Sequence, residues 1–221
     1  MKKVGIEKLI IGSRESPLAQ AQTRLVIEAL EIAHPGIAIE IIMIKTTGDT
    51  VLDKPLTSIG GKGLFTKEIE AALLEFRIDI AVHSAKDMET HLPAALTLAA
   101  VLPREDPRDV FLSSRGNSLS SLPAGSVVGT TSPRRRAQIL NSFPELDIVS
   151  LRGNVETRLK KLRDGNVDAI LLALAGLRRL RLSPRDMEIL GPEVMLPSAA
   201  QGTIGIESRA ADEKIAELLA P

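Results

Sequence analysis

The sequence predicts an α/β protein, on three observations. Short apolar runs rich in β-branched residues, such as 78–82, alternate with helix-forming segments, and this alternation predicts a parallel sheet. A pattern of strand, glycine, polar turn, Ser-Pro and helix occurs at 12–20 and again at 129–138. The 28 basic and 28 acidic residues are unevenly spread, because 104–190 holds 15 Lys and Arg against 10 Asp and Glu. Together these observations predict two α/β domains, one of them arginine-rich.

Capping and turn residues give the boundaries of the elements. The Ser-Pro pairs at 16–17 and 132–133 place an N-cap serine before a proline at the first helical position, a standard helix start. Residues 46–50 are predicted to form a polar loop, and 103–109, charged and twice broken by proline, a boundary. Strands are predicted at 8–12, 37–45, 78–82, 96–102, 126–129, 147–150, 169–172 and 203–207. Helices are predicted from 17 to 33, at 64–76, from 133 onward, and at 154–163, 175–180 and 212–219.

The composition argues against several classes of function. Cysteine is absent from the 221 residues, which removes disulfides, thiolate metal sites and thiol nucleophiles from this sequence. Four Phe without Tyr or Trp leave little on which to stack bases, so a nucleic-acid partner is disfavoured. No apolar run reaches the ~18 residues of a transmembrane helix, and the N-terminus does not resemble a signal peptide. We therefore expect a cytoplasmic protein that binds a small polyanion.

The polar turn after the strand at 78–82 is the first candidate site. Ligands of open α/β sheets bind beyond the carboxyl ends of the strands, which places Ser84, Lys86 and Asp87 at a binding crevice. The alternative is a structural turn, with Ser84 as a helix N-cap beside a solvated Lys-Asp pair. Only here does a lone acid follow a cation at a predicted strand end, which favours a functional role.

The two Ser-Pro helix starts form a second candidate, a pair of anion sites. Each offers backbone N–H groups, the positive end of a helix dipole and an arginine at one place. Arginine suits bidentate recognition of carboxylate and phosphate. Alternatively, Ser-Pro is merely a common helix start and each arginine a surface charge. The arginines near predicted strand ends are Arg14, Arg134, Arg135, Arg152 and Arg158.

Three further features carry weaker signals. The glycine-rich segment 60–65 lacks the spacing and the terminal Lys-Ser/Thr of a P-loop, which favours a mobile cationic lid over a nucleotide site. The three histidines show no i, i+4 pair, so structural roles are favoured over zinc binding. Asp106 and Asp109 are predicted to be loop caps.

Eight specific motifs occur in order along the chain. They are Ser-Arg-Glu-Ser-Pro-Leu-Ala at 13–19, Thr-Thr-Gly-Asp at 46–49, Gly-Gly-Lys-Gly-Leu-Phe at 60–65, His-Ser-Ala-Lys-Asp at 83–87, Glu-Asp-Pro-Arg-Asp at 105–109, Leu-Arg-Gly-Asn-Val at 151–155, Ala-Gly-Leu-Arg-Arg-Leu at 175–180 and Gln-Gly-Thr-Ile-Gly-Ile-Glu at 201–207. In these motifs the sequence resembles the porphobilinogen deaminase (hydroxymethylbilane synthase) family, from near residue 9 to residue 209.

The resemblance implies a fold and a domain organisation. The family fold has two domains similar to type II periplasmic binding proteins, each a mixed, mostly parallel sheet flanked by helices, with a cleft between them. Residues 1–103 and 197–221 would form a discontinuous first domain, and 104–196 the arginine-rich second domain. The family's small third domain would be absent from this sequence.

The resemblance also implies a transferase of porphyrin, tetrapyrrole and haem biosynthesis. The family joins four porphobilinogen units head to tail and releases ammonia each time. Asp87 would stabilise an azafulvenium-like cation and shuttle its proton, with Lys86 and Arg14 as further catalytic residues. The acetate and propionate groups of the growing chain need arginines and helix N-termini. The residues expected to bind the cofactor and these carboxylates are Ser16, Ser84, Thr131, Ser132, Arg134, Arg135, Arg152, Arg158, Lys62, Phe65 and Gln201.

The sequence departs from the family at the cofactor. In the family, a cysteine of the third domain carries a covalent dipyrromethane, the primer on which the chain grows, and this sequence has no cysteine. Three interpretations stay open: a short deaminase that holds its primer non-covalently, a two-domain binding protein for pyrrole carboxylates or another small anion, and a fragment of a longer enzyme. We expect a monomer whose partner is porphobilinogen, with no metal, nucleic acid or membrane partner.

Overall fold

The structure, a computed structural model, describes residues 6–50 and 63–220, and these form two compact units. The first unit consists of the described residues up to Arg104 together with those from Thr203 onward, and the second is Glu105–Gly202. The chain therefore leaves the first unit once and returns to it. Across the described ranges, no helix is long and apolar enough to cross a membrane.

The described residues hold ten strands and seven α-helices, joined by turns. In chain order they are β1 (Lys8–Arg14), α1 (Pro17–Ala33), β2 (Ala38–Ile44), α2 (Thr47–Thr50), α3 (Lys67–Leu74), β3 (Ile80–Ser84), β4 (Leu96–Val101), β5 (Asp109–Ser113), β6 (Val127–Gly129), α4 (Pro133–Ser142), β7 (Asp147–Val149), α5 (Val155–Arg163), β8 (Ala169–Ala173), α6 (Leu174–Arg179), β9 (Glu188–Ile189), β10 (Ile204–Arg209) and α7 (Glu213–Leu219). Most of them lie within a few residues of their predicted positions.

Each unit is built on one five-stranded mixed sheet. The strand order is β2-β1-β3-β10-β4 in the first unit and β7-β6-β8-β5-β9 in the second. β1 pairs in parallel with β2 and β3, and β6 pairs in parallel with β7 and β8. β10 and β5 are antiparallel to both of their neighbours. Four of the five strands in each sheet thus share one direction, which confirms the mixed, mostly parallel α/β fold.

The two units repeat one local design. Asp79, the residue before β3, donates its N–H to Ile10 O at 2.8 Å and accepts from Ile10 N through Oδ2 at 2.8 Å. Asp168, the residue before β8, makes the same two bonds with Val127, both at 2.8 Å. Each aspartate therefore ties its strand to the neighbouring parallel strand, β1 or β6. This shared feature and the shared strand order support the internal duplication that the two Ser-Pro patterns suggest.

Helices cover both faces of each sheet. In the first unit Val26 of α1 packs in one apolar cluster with the sheet, and Ile69 of α3 packs in another. In the second unit Leu159 of α5 and Ile139 of α4 lie in separate clusters. Because both faces are buried, the central strands are mostly apolar on both sides, and the polar turns at the strand ends remain for binding.

The structure departs from the sequence-based prediction in its shortest elements. Residues 47–50, predicted as a loop, form the helix α2, and the helix predicted at 64–76 is limited to α3. β5 and β9 were not predicted, and β5 begins inside the stretch taken as a boundary. β5 pairs with β8, which is distant in sequence, so its identity as a strand depends on contacts that a local pattern does not contain.

The return to the first unit also comes later than the sequence suggests. The family resemblance implied that residues 197–202 lie in the first domain, whereas the structure groups them with the second unit. Gln201 explains the difference, since its side chain donates to Pro107 O at 2.6 Å and to Asp109 Oδ1 at 2.9 Å.

Replacing Asp168 with alanine is expected to loosen the second unit alone. The variant loses the charge-assisted bond from Val127 N, a class of hydrogen bond that contributes about 1.5–3 kcal/mol. Hydrogen–deuterium exchange should therefore accelerate at the Val127 amide and stay unchanged at the Ile10 amide. Asp79→Ala is the mirror-image control and should reverse the pattern. If either variant accelerated exchange equally in both units, the conclusion that each aspartate stabilises only its own sheet would be wrong.

Candidate functional site

In the first unit, two chain segments place polar groups at the same edge of the sheet. β1 ends at Arg14, and Ser16 then caps α1, its hydroxyl accepting from Ala19 N at 3.3 Å. β3 ends at Ser84 and continues into a 3₁₀ turn, Ala85–Asp87. Because β1 and β3 are parallel neighbours, their carboxyl ends coincide. The structure thus brings together residues from both of the predicted sites.

A cavity of about 50 Å³ lies at this edge of the first unit. One water molecule needs a cavity volume of roughly 10–15 Å³, so this cavity admits a group of about three or four heavy atoms. A carboxylate has this size, whereas a pyrrole ring with its side chains is larger. The cavity is lined in part by Arg14, Ser16, Gln22, Phe65, Ser84 and Asp87.

Arg14 is held on one edge and on one face. Its Nε and Nη2 donate to the two carboxylate oxygens of Asp49, at 3.1 and 2.5 Å, and the Phe65 ring centroid lies 4.3 Å from Cζ. Burial alone would raise the pKa of Asp49, but hydrogen bonds from Arg14 and Thr46 outweigh burial and hold that pKa below its usual range. Asp49 is thus an ionised partner of Arg14. The sequence motif at 46–49 contained Asp49, but no role followed from the sequence.

Ser84 is fixed by a residue that the sequence reasoning missed. Gln22, buried in α1, donates from Nε2 to Ser84 Oγ at 2.8 Å, and the hydroxyl lies 3.2 Å from Gln22 Oε1. Ser84 occupies the N-cap position of the 3₁₀ turn, but its side chain makes no capping hydrogen bond there. The available signal was a polar residue on the helical stripe that otherwise carries Ala19, Val26 and Leu30.

Lys86 and Asp87 are exposed on the turn beyond Ser84. The turn is closed by a backbone bond from Met88 N to Ala85 O at 3.3 Å. Asp87 lines the cavity together with Arg14, and an exposed carboxylate on a short, closed turn can reach a ligand without first breaking a buried ion pair.

A buried acid–base pair lies directly behind this edge. His83 Nε2 is 3.1 Å from Glu207 Oε2, and both side chains are almost fully buried. Glu70 of α3 is electrostatically coupled to both; burial raises its pKa, and the Glu207 carboxylate raises it further. The structural role expected for the histidines agrees with this placement of His83.

In the second unit, α4 repeats the capped helix start. Ser132 Oγ accepts from Arg135 N at 3.4 Å, and Ser132 N donates to Thr130 Oγ1 at 3.1 Å. Thr131 lies between them in the half-buried turn that follows β6. This end of α4 therefore presents backbone N–H groups at the carboxyl edge of the second sheet, as the Ser-Pro pattern predicts.

Asp109 is the buried centre of the second unit, which corrects its prediction as a loop cap. The carboxylate is 0% exposed and accepts from Arg134 Nη2 at 2.7 Å and from Arg135 Nη2 at 2.7 Å. Gln201 Nε2 adds a third donor, and Arg135 Nη1 donates to Leu171 O at 2.9 Å. The sequence showed a polar stretch at 105–109 but not that the last residue enters a strand between apolar neighbours.

This network changes the expected roles of three residues. Arg135 is 6% exposed and directs Nε, Nη1 and Nη2 into the protein, and Gln201 is 1% exposed, so both act within the unit in this conformation. Arg134 is more exposed but is bound at Nη1 by Leu196 O as well. The sequence did not show that Asp109 is buried and accepts hydrogen bonds from all three side chains.

Arg152 and Arg158 flank the turn between β7 and α5. Asn154 is the N-cap of α5, accepting from Thr157 N at 2.8 Å. Arg158 Nε donates to Gly153 O at 2.8 Å, and Lys161 Nζ donates to Arg152 O at 3.1 Å. Both arginines are half-buried. Arg152 lies in the turn that follows β7, the strand paired with β6, and Arg158 lies in α5.

Two predictions concern residues or ions that are not placed. Lys62 and the rest of 60–62, the first half of the glycine-rich segment at 60–65, lie outside the described residues, so the lid stays a prediction. Within 6–50 and 63–220, no group of three or more His, Cys, Asp or Glu side chains could hold a metal ion.

Comparison with known proteins shows to which family the chain belongs. The family model described as porphobilinogen deaminase, dipyromethane cofactor binding domain, matches residues 9–217. The chain belongs to the porphobilinogen deaminase family. It is 54% identical to the chloroplastic porphobilinogen deaminase of Oryza sativa subsp. japonica over 95% of this chain, and 52% identical to that of Roseiflexus sp. (strain RS-1) over 97%. The chain spans 60% and 71% of the lengths of these two family members.

Solved structures of lower identity share the family fold. A periplasmic VFT2 domain of BvgS from Bordetella pertussis matches with a TM-score of 0.56 at 12% identity, covering 97% of this chain and 86% of that one. A putative methionine-binding lipoprotein from Bacillus subtilis matches with a TM-score of 0.57 at 13% identity, covering 98% and 92%. These likenesses confirm the fold similar to periplasmic binding proteins.

Proposed function

We propose that this protein acts as a hydroxymethylbilane synthase-type transferase, which condenses porphobilinogen units into a linear tetrapyrrole and releases ammonia. The observation that carries the proposal is the convergence of Arg14, Ser84 and Asp87 on one carboxylate-sized cavity in the first unit. Membership in the porphobilinogen deaminase family supports the same substrate. The proposal includes the sequence-based expectations of a cytoplasmic monomer and a discontinuous first domain.

Asp87 is proposed to hold and move the protons of the reaction. The aminomethyl nitrogen of porphobilinogen is protonated. When its C–N bond breaks, this nitrogen takes the electron pair of the bond and leaves as ammonia. The pyrrole nitrogen then shares its lone pair with the exocyclic carbon and becomes cationic, and a carboxylate oxygen of Asp87 near that N–H stabilises the charge. The α-carbon of the next pyrrole forms the new C–C bond and loses a proton, which Asp87 can accept.

The helix start of each unit is proposed to bind a carboxylate, an acetate or propionate group of the substrate or of the growing chain. In the first unit, the cavity places Arg14 beside the N-terminus of α1, where charge and dipole both favour an anion. In the second unit, Thr131 and Ser132 lie at the N-terminus of α4, Arg152 lies in the turn after β7, and Arg158 lies in α5. Arg134, Arg135 and Gln201 are left out of this set because side-chain donors of all three are bound inside the second unit.

The described residues fit the carboxylates of the dipyrromethane cofactor but not its covalent bond. A carboxylate-sized cavity with an arginine and a serine suits an acidic side chain of the group, whereas the 221 residues contain no cysteine to carry it. When bound, the cofactor supplies the pyrrole carbon to which the first substrate unit is joined. In the first unit, Arg14, Ser16 and Ser84 would hold a carboxylate of this group. In the second unit, taken by itself, Thr131, Ser132, Arg152 and Arg158 are proposed as carboxylate ligands.

Mass spectrometry after incubation with porphobilinogen, combined with an ammonia assay, tests the proposal. We expect ammonia release together with adducts that increase in pyrrole-unit steps. Adducts that survive denaturation would place a covalent anchor at a residue other than cysteine, and adducts seen only in the native spectrum would mean that the primer is held by the carboxylate sites. If neither adducts nor ammonia were detected, the transferase proposal would be contradicted, and a binding protein for small anions would be left.

A further inference from the structure

Arg14 has an unusually complete set of constraints for a residue that lines a cavity. Asp49 takes Nε and Nη2, and the Phe65 ring covers one face of the guanidinium. The side chains of Arg14 and Asp49 are 20% and 21% exposed, so water screens this ion pair only partly. An arginine with five N–H donors that commits two of them to Asp49 still has its Nη1 donors outside the ion pair.

Asp49 is itself fixed by the turn in which it lies. Thr46 Oγ1 donates to Asp49 Oδ2 at 2.7 Å, and Asp49 N donates to Thr46 O at 3.0 Å. Thr46 is 1% exposed, so this support is internal to the unit. The carboxylate therefore has one defined position before any ligand binds.

The same turn also sets the position of Phe65. Gly48 N donates to Leu64 O at 2.7 Å, and a Cβ added to Gly48 would lie 2.2 Å from Phe65 Cε1. Only a glycine lets the ring approach the turn so closely. Glu68 of α3 secures the turn from the other side, accepting from Thr47 N at 3.0 Å and from Thr47 Oγ1.

We propose that Asp49 is a positioning residue for Arg14, holding the guanidinium so that its second edge faces the cavity and receives a carboxylate of the substrate. The inference rests on the proposed function for the identity of that carboxylate. Asp49 itself touches no reacting atom. Its effect is to remove rotamer freedom from Arg14 before binding, so that this freedom is not lost when the ligand arrives.

The charge of Asp49 and its positioning of Arg14 have opposite effects on the affinity for an anion, so the direction of the change tells them apart. Asp49 also neutralises part of the charge of Arg14, and through charge alone its removal would strengthen the binding of an anion. Positioning predicts the opposite, a weaker complex. Asp49→Asn removes the charge with little change of shape and therefore separates the two effects.

The experiment is a calorimetric titration of porphobilinogen into proteins that all carry Asp87→Asn, which slows turnover: the otherwise wild-type protein, Asp49→Asn, Arg14→Gln and the double variant. We expect Asp49→Asn to weaken binding by about tenfold, and to cause no further weakening when Arg14 is already glutamine. Asp147→Asn, which removes an exposed carboxylate of the second unit, is the control and should bind as the wild type does. Tighter binding by Asp49→Asn would overturn the proposal, and so would an equal loss in the Arg14→Gln background.

A second measurement separates this inference from the proposed function. In NMR spectra of arginine-labelled protein, Arg14→Gln identifies the Arg14 Nε–H signal, which should exchange slowly with water in the wild type and quickly in Asp49→Asn. If the signal behaves in this way but the wild type does not bind porphobilinogen, the proposed function is wrong and the positioning of Arg14 is correct. A signal unchanged by Asp49→Asn overturns the inference whatever binds.

Discussion

Asp87→Asn is expected to lower the rate of ammonia release from porphobilinogen by about 10²–10⁴-fold, the usual contribution of a positioned general acid or base. Asparagine keeps the size of the side chain but carries no charge and accepts no proton. Equilibrium binding of porphobilinogen should stay within a few-fold of the wild type, since the carboxylates are proposed to be held by Arg14 and the helix starts. Single-turnover ammonia release, measured over a series of protein concentrations, gives the rate constant and the apparent binding constant separately.

The exposure of Asp87 makes this variant easy to interpret. The side chain lies on a surface turn, so the free energy of unfolding should change by no more than about 0.5 kcal/mol. Asp147→Asn changes an exposed carboxylate at the start of β7 and should retain the full rate. If the binding constant of Asp87→Asn fell as much as its rate, Asp87 would be a binding residue and the proton role would be wrong.

The sequence predicted those features that local signals encode. Ser16 and Ser132 cap their helices because a serine followed by proline is favoured at a helix start in almost any context, and both caps are observed. Apolar runs with β-branched residues located most strands, and their alternation with helices gave the fold class. The carboxyl ends of β1 and β3 then followed from the rule for parallel sheets, which brought Arg14 and Asp87 to one edge.

What the sequence could not give are partners that come from elsewhere in the chain. Asp49 meets Arg14 across 35 positions, and Gln22 meets Ser84 across 62. Neither pair has a periodicity or a spacing that a single sequence reveals. The same limit explains Asp109, which stands among charged residues and prolines but becomes buried because β5 is inserted next to β8.

Arginine clusters show this limit most clearly. From sequence alone, Arg134 and Arg135 were equivalent to Arg14, each being a cation near a predicted strand end. In the structure, Arg135 is buried with Asp109 and contributes to the interior of the second unit, whereas Arg14 lines a cavity. The charge asymmetry of 104–190 therefore overstates the number of cations available to an anionic ligand.

Asp109→Asn is expected to destabilise the second unit by about 3–5 kcal/mol, the usual cost of removing one partner from a buried ion pair. The substitution leaves the guanidinium of Arg135, which is 6% exposed, without its counter-charge. This is a large fraction of the ~5–15 kcal/mol by which domains are stable. Because the protein has no Trp or Tyr, hydrogen–deuterium exchange of the β5 and β8 amides is the suitable measurement. Exchange in β1 and β3 of the first unit should not change.

The pH dependence of this effect follows from the direction of the Asp109 shift. Burial alone would raise the pKa of Asp109, but the hydrogen bonds and charges of Arg135 and Arg134 outweigh burial and lower it. A pKa lower in the folded than in the unfolded state means that ionised Asp109 stabilises fully above the unfolded value, near ~3.9, and that this contribution is lost as pH falls through the folded value. The difference in stability between wild type and Asp109→Asn should therefore be constant near neutral pH and shrink below about pH 4.

Asp164→Asn breaks only an exposed pair with Lys160 and should cost about 0.5 kcal/mol, so an equal loss in both variants would contradict the buried network.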